Sequence, residues 1–471
     1  MKQTQYSDPV SILRTFCLHL PLAVVMLITM GLLGSVSPKA SAEELKALNE
    51  NQVLALFFER NLTLISGHYK IDRAEAQTLI ASAIPNPELT FGFNELSSQV
   101  TRFAPRSNLP NNQADANALG MNIIVTQLIQ TNGKRQLRTE SSQYEREAVE
   151  TDFLNLVRTL ANTIRKAHYQ LLQAQKRLDF FRSNDENYLK IVEASRIRLQ
   201  AGDISETALT RVEIEEFKVR ADLNRAESEL KSARSELAML LSWPEISEDL
   251  TVTEAWPTVP QGLIHPNFDP LIEEAYHSRP DYHAQEMRAE RMETEVELAR
   301  RLVVPDVTVS AGFIQDAGNV QPYTGIFNIN APIPAWYQFQ GEVGRAAADL
   351  NTARLELEQI RNSIRADVIS THARLTATRA IVERFERETR ERVEKVRVAQ
   401  EFAYSQGAIG LIDLLDAERN YTMMMTEYYT AKTNQSIAYA DLMMALGDDV
   451  MHRFFEEDFK ALEHPDTRKG R

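Results

Sequence analysis

The stretch from Lys134 to Ala201, KRQLRTESSQYEREAVETDFLNLVRTLANTIRKAHYQLLQAQKRLDFFRSNDENYLKIVEASRIRLQA, runs for 68 residues without a glycine or a proline. Both residues are costly inside helices, so their absence over such a length predicts one continuous helix. At 1.5 Å per residue it would extend about 100 Å, beyond the dimensions of a compact domain. Its apolar positions advance in steps of three and four: Leu154, Val157, Ala161, Ile164, His168, Leu171, Gln175 and Leu178 form one seam. Phe153, Leu156, Leu160, Ala167 and Ala174 form a second seam beside it. Two adjacent seams give a helix neighbours on two sides, as in a ring or sheet of helices.

Outward from this stretch, three more segments lack both residues: Asp203 to Trp243, Arg345 to Gln406 and Leu411 to Leu446. Leu350, Ala353, Leu357, Ile360, Ile364 and Val368 repeat the helical seam in the third. Between the helices the period changes to two. Leu89, Phe91 and Phe93 alternate with polar or small residues, as do Met121, Ile123 and Val125, then Val307, Val309, Ala311 and Phe313, then Phe327, Ile329, Ala331 and Ile333. Such alternation predicts four strands, each near the length of a tilted membrane-spanning strand; on pattern alone a soluble four-stranded sheet is the alternative.

The two halves repeat. Asn61-Leu62-Thr63-Leu64 aligns with Arg279-Pro280-Asp281-Tyr282, Pro87-Glu88-Leu89-Thr90 with Pro305-Asp306-Val307-Thr308, and Gly202-Asp203-Ile204 with Gly407-Ala408-Ile409. Each half reads helix, strand, loop, strand, very long helix, tight turn, long helix, with the first strand-to-strand loop (94–118) longer than the second (314–322). The boundaries implied are a first repeat over 43–250, a second over 251–450 and a polar tail over 451–471. Pro244, Pro257, Pro260 and Pro266 mark the join.

Residues 1–42 stand apart. Lys2 and Arg14 precede an apolar run from Phe16 to Leu33, and Ala40-Ser41-Ala42 closes the segment, which reads as a secretory signal peptide cut after Ala42. A membrane anchor is the alternative, although His19 and Pro21 interrupt the run. The whole chain carries 52 Lys and Arg against 66 Asp and Glu, a net charge of -14. That balance opposes the counterion release on which nucleic-acid binding depends. Cleavage removes the single cysteine, Cys17, and with it any disulfide, thiol nucleophile or Cys-based metal site. No histidines pair at three- or four-residue spacing, no phosphate loop, nucleophile elbow or metalloprotease helix occurs, and the runs Met423-Met424-Met425 and Met443-Met444 suit core filling better than copper. Neither a cofactor nor an enzyme is expected.

An exported chain with amphipathic strands and no second apolar helix suits a membrane barrel, because open strand edges leave unpaired N–H and C=O groups in hydrocarbon. Four strands are too few to close; three copies give twelve. Trp336, Tyr337 and Phe339, following the fourth strand, fit an interfacial girdle, and Pro332 and Pro334 end that strand. The fold class expected is mainly α with a transmembrane β portion, a homotrimer combining an α-barrel with a twelve-stranded β-barrel.

Three motifs carry a family resemblance: Pro85-Asn86-Pro87-Glu88-Leu89, Arg279-Pro280-Asp281, and Tyr404-Ser405-Gln406-Gly407 followed by Leu411-Ile412-Asp413-Leu414-Leu415-Asp416-Ala417. In this order, inside a duplicated pattern, they resemble the TolC family of outer-membrane efflux proteins over almost the whole mature length. The resemblance implies a homotrimer in outer-membrane lipid whose helical barrel extends into the periplasm. It also implies docking through a periplasmic adaptor onto an inner-membrane pump of RND or ABC type, the channel passively conducting metal cations or drugs. The Pro85-to-Leu89 opening and the lack of a lipid-anchor cysteine are more similar to the heavy-metal (cobalt-zinc-cadmium) branch than to the lipoprotein multidrug branch. A periplasmic coiled-coil adaptor or structural protein is the competing reading.

By the same resemblance Asp413 and Asp416 ring the periplasmic gate and form a cation constriction, the alternative being solvated carboxylates at a helix start. Tyr404 matches the tyrosine of the family's closing latch, whereas that latch's aspartate and arginine are replaced here by Ala208 and Ile409. The two turns would meet the adaptor through Arg198, Leu199, Ala201, Gly202, Ser405 and Gly407, and both glycines suit the positive φ of a helix C-cap.

Overall fold

The computed structural model describes residues 47–95, 119–246, 248–253, 256–260, 267–315 and 323–447. The signal peptide, the polar tail and most of both strand-to-strand loops lie outside them.

Helices α1 (Glu50–Arg60) and α2 (Leu62–Ser82) lead into strands β1 (Glu88–Glu95) and β2 (Leu119–Ile129), then the long hairpin α3 (Lys134–Ala201) and α4 (Glu206–Leu240). The second half repeats the order with α5 (Asp269–Ser278), α6 (Pro280–Arg301), β3 (Val307–Gln315), β4 (Tyr323–Asn330), α7 (Gln340–Arg384), α8 (Arg390–Ser405) and α9 (Leu411–Ala445). The internal alignment has a structural basis: Asn61 and Arg279 occupy the same N-cap position in the two halves. The Asn61 side chain accepts from the amides of Thr63 and Leu64 at 2.9 and 3.1 Å, and Pro280 supplies the preset first turn of α6.

Helix α3 occupies the predicted stretch to the residue. Val157, Ala161, Ile164, His168, Leu171 and Leu178 of its first seam are buried, while Leu154 is exposed, so the seam engages neighbours only from Val157 onward. Each fully buried leucine or isoleucine here contributes about 1.5–3 kcal/mol over an exposed one. Helix α7 begins five residues before the Gly-free segment and includes Gly341 and Gly344. The Tyr337 hydroxyl accepts from the Gly341 amide at 3.1 Å and lies 2.4 Å from where a Cβ would stand, so glycine lets the tyrosine close over the helix start. The expected continuous helix from Arg345 is also broken by a π-helical turn, Phe385–Thr389, between α7 and α8.

All four strands pair antiparallel in the order β1-β2-β3-β4, leaving β1 and β4 as edges. In register, Phe91 lies opposite Ile123, which lies opposite Phe313; Leu89, Val125, Ala311 and Phe327 form the next row on that face. The alternate face carries Thr90, Asn122, Thr126, Ser310, Thr324 and Asn328, with Thr126 and Ser310 bonded at 3.1 Å. Strand β4 stops at Asn330, so Ala331 and Ile333, expected as its last apolar positions, lie beyond it; Pro332 has no N–H to continue the ladder.

Charged clamps fix sheet to helices and half to half. The Lys134 ammonium, 5% exposed, lies 2.7 Å from Asp306 and donates to the Val304 carbonyl at 2.7 Å, while Asp306 accepts from the Thr131 amide. The motif residue Arg279 forks onto Asp281 (2.6 Å) and Asp367 (3.0 Å), and Asp281 also faces Arg158 at 3.4 Å. Asp441 on α9 receives Lys166 and Asn162 from α3 at 2.5 and 2.9 Å.

Candidate functional site

Both hairpin turns close the same way. Gly202 and Gly407 adopt φ of 79° and 70°, where a Cβ is disfavoured. The Asp203 amide bonds to Arg198 O and the Ala408 amide to Ala403 O, both at 2.9 Å, while Gly202 and Gly407 donate to Leu199 O and Tyr404 O at 3.0 Å. These are paired Schellman closures that satisfy the last helical carbonyls. Leu199, Ala201 and Ser405 belong to these final turns, and Ser405 Oγ donates to Phe402 O at 2.7 Å.

The two tips touch through Arg198 and Tyr404. The guanidinium lies 4.7 Å from the centre of the tyrosine ring and donates to the Tyr404 carbonyl at 3.3 Å. Tyr404 is 8% exposed, and its hydroxyl has no hydrogen-bond partner among the described residues.

The two aspartates stand at the start of α9. Asp413 Oδ2 accepts from the Gly410 amide at 3.2 Å, which makes it a capping carboxylate as well as an exposed charge. Asp416, one turn on, faces Arg419 at 3.2 Å. Arg419 also reaches across to α4, where its Nη2 and Nε meet the two carboxylate oxygens of Glu215 at 2.5 and 3.2 Å. Lys218 adds a third contact to Glu215 at 2.8 Å. The Arg419 hydrogen bond, with Lys218 behind it, holds the Glu215 carboxyl below its ordinary value against the opposing effect of burial. Beneath the pair, Tyr188, Val219 and Leu415 form a buried apolar cluster. A cleft of about 230 Å³ opens beside it, bordered by Arg211, Ile412, Asp416 and Arg419.

One turn further along α9 the electrostatics reverse. Glu418 is 2% exposed, with one oxygen lacking any hydrogen-bond partner among the described residues. Burial raises its carboxyl above the ordinary value, only partly offset by Arg397 at 3.6 Å. Arg397 is shared with Glu394 (2.9 Å) and Glu401 (3.6 Å), and its guanidinium lies 4.9 Å from the Tyr421 ring centre.

The sequence-predicted residues therefore fall in two adjoining groups at the hairpin ends. Ala208 and Ile409 bear no charge, and the link between hairpins at this level is made instead by Glu215 and Arg419. Sequence reading missed this pair: its members are 204 positions apart, and only the i,i+3 spacing of Glu215 with Lys218 and of Asp416 with Arg419 hinted at local charge pairing. Among the described residues no group of three or more His, Cys, Asp or Glu side chains is placed to hold a metal ion.

The family model for outer membrane efflux proteins matches residues 53–242 and 271–448. The cobalt-zinc-cadmium resistance protein CzcC of Cupriavidus metallidurans is 22% identical over 398 residues, covering 84% of this chain and 88% of the relative. The pyoverdine export outer membrane protein OpmQ of Pseudomonas putida is 24% identical over 415 residues, covering 84% and 85%. Among solved structures, the outer-membrane channel OprN superposes with a TM-score of 0.69 at 20% identity, over 84% of this chain and 89% of that one.

Proposed function

The chain belongs to the outer membrane efflux protein family, and from that premise we propose how its parts work in an efflux machine. It is an outer-membrane channel of a tripartite system and not an enzyme; the periplasmic adaptor reading finds no support in the comparisons. Three copies close their sheets into one twelve-stranded barrel, β4 of each pairing with β1 of the next. The observation that carries this is the four-stranded sheet itself, which has one apolar face, one mixed face of more polar character and, among the described residues, two edges without a partner strand. In hydrocarbon such edges must be paired, and a barrel does so. Phe91 and Phe313 would then face lipid, and Asn122, Thr126 and Ser310 the lumen. Polar substitutions at Phe91, Val309 and Ile329 test it: loss of the heat-modifiable, membrane-assembled form is expected, and unimpaired assembly would refute the barrel.

The repeats 43–250 and 251–450 each supply one hairpin to a helical barrel in the periplasm, with 1–42 removed on export and 451–471 trailing. Asp413 and Asp416 of three copies ring the entrance, where weak screening favours cations. The Glu215–Arg419 pair holds the two hairpins together in place of the family's aspartate and arginine, with Tyr404 packed under Arg198. Arg198, Leu199, Ala201, Gly202, Ser405 and Gly407 form the surface met by a periplasmic adaptor, through which an inner-membrane pump delivers cargo. Asp413→Asn with Asp416→Asn should lower cation preference and weaken block by divalent ions; unchanged selectivity in bilayers removes them from the gate.

The cargo is metal cations, by similarity to CzcC, a cobalt-zinc-cadmium resistance protein. OpmQ, a pyoverdine exporter, favours an organic cargo as the second reading. A growth panel of the deletion strain separates them: selective loss of metal tolerance supports the first, and broad sensitivity to dyes, detergents and antibiotics the second.

A further inference from the structure

The helix that runs from Gln340 to Ser405 is not uniform. Above the π-helical turn Phe385–Thr389, α7 buries Ala353, Ile364, Val368, His372, Leu375 and Val382; below it, α8 buries only Tyr404. The turn itself is anchored. Phe385 stacks on Tyr428 of α9 with ring centres 5.0 Å apart, and Glu386 accepts from Lys432 at 2.6 Å and from the Tyr428 hydroxyl at 3.1 Å. Arg390, just below, places its guanidinium 5.9 Å from the centre of the same Tyr428 ring. A π turn weakens the i→i−4 ladder locally, so it is a natural place for a long helix to bend.

From this contrast we propose that the π turn is the hinge of the gate: the arm formed by α8 and the first turns of α9 pivots at Phe385–Thr389 about the Tyr428 ring. The Glu386–Lys432 pair sets the resting angle. The arm carries Tyr404, Asp413, Asp416 and Arg419, so the inference rests on the gate reading given above. Its attachments to the first hairpin are Arg419 to Glu215, the Arg198–Tyr404 stack, the Tyr188, Val219 and Leu415 cluster and, nearer the pivot, Phe180 against Tyr421 and Asn184 bonded to Thr422. In the α7–α8 helix one irregular turn separates stem from arm, while α9 passes the same level unbroken and bends with it at Tyr428.

A π turn holds one residue more than the α-helix it interrupts, so removing one residue restores a continuous α-helix while leaving both flanks in register. Arg387 is the residue to delete, since it is exposed and bonds only within its own helix to Glu383. Spin labels at Asp203→Cys and Gln406→Cys, in a mature chain free of other cysteines, report the tip separation of the full-length trimer in lipid. Glu386→Gln is expected to add a longer-distance population, and deletion of Arg387 in that background to abolish it. A distribution unchanged by Glu386→Gln overturns the hinge, as does a long population that survives the deletion. If the deletion prevents trimer assembly, the Glu386→Gln distribution decides alone. The labels read geometry and not ions, so failure of the aspartate gate appears as unchanged selectivity with tips that still move, and failure of the hinge as tips that do not.

Discussion

Replacing Arg419 with Gln removes the one bidentate charge pair that ties α4 to α9 beside the aspartates. Glu215 is 9% exposed and Arg419 52%, so the pair is half in water. A hydrogen bond to a charged group contributes about 1.5–3 kcal/mol in a folded protein, and exposure of the guanidinium discounts this pair to about 1 kcal/mol. In the proposed trimer, three copies opening together then lose about 3 kcal/mol of closed-state preference, which raises the open-to-closed ratio about a hundredfold. Planar bilayers at low salt, where screening is weak, read this directly as open probability. Lys218→Met serves as the control, because Lys218 contacts Glu215 within α4 and holds no second hairpin. An Arg419→Gln channel within about twofold of the parent, or a Lys218→Met channel that opens as readily, refutes the latch. The pH dependence has a defined sign. Glu215 has a lowered folded-state value, so its stabilisation is present above the ordinary carboxylate value and disappears only as pH falls through the depressed one. From about pH 5 upward the latch should be insensitive to pH.

Glu418 has the opposite sign. Its folded value is raised, so the stabilising protonated form is fully present below the ordinary carboxylate value and lost as pH rises through the raised one. Hydrogen exchange of α8 and the start of α9 should lose protection as pH rises above the ordinary carboxylate value in the parent and stay level in Glu418→Gln; equal slopes would show that Glu418 is not the titrating group. At Gly312 a Cβ would stand 2.1 Å from the Ile123 carbonyl oxygen, so Gly312→Val should abolish most of the heat-modifiable trimer recovered from outer membranes, and normal recovery would contradict the β2–β3 packing. Lys134→Met leaves Asp306, 29% exposed, without its cation and should cost about 2 kcal/mol, less than a fully buried pair. A lowered thermal midpoint of the assembled channel, partly recovered by adding Asp306→Asn, which removes the charge and keeps an acceptor for the Thr131 amide, is the expected pattern; no recovery would mean that Lys134 acts through something other than that pair.

Glycine and proline positions made the helices legible. Lys134 and Ala201 bound α3 at both ends because Gly133 and Gly202, both at positive φ, punctuate it, and Leu411 opens α9 just after Gly410. The strands were legible from period two because one face of the sheet is apolar and the other mixes polar residues with a few isoleucines. Ala331 and Ile333 extended the alternation past a proline that the backbone could not pair. The π turn left no trace, since Phe-Glu-Arg-Glu-Thr has the same composition as any solvated helical turn. Of the site, Tyr404, Asp413, Asp416 and both tip glycines were visible in the motifs, whereas Glu215, Arg397, Glu418 and Arg419 acquire meaning only through partners on other helices.

The Asp441 clamp closes a loop of more than half the chain: its partners Asn162 and Lys166 precede it by some 280 positions, and Arg158 donates to the Met444 carbonyl over 286. Such closures form late, because the entropy of a long loop must be overcome before the contact repays it. The first repeat emerges with one side of α3 unsatisfied and waits for the last helix to arrive. A chain cut between Leu375 and Ala438 would expose Ile364, Val368 and Leu375 together, and proteolysis or aggregation, not a half-working channel, is its fate. Assembly is thus completed from the C-terminal end, which makes synthesis of the entire polypeptide a checkpoint on what reaches the membrane.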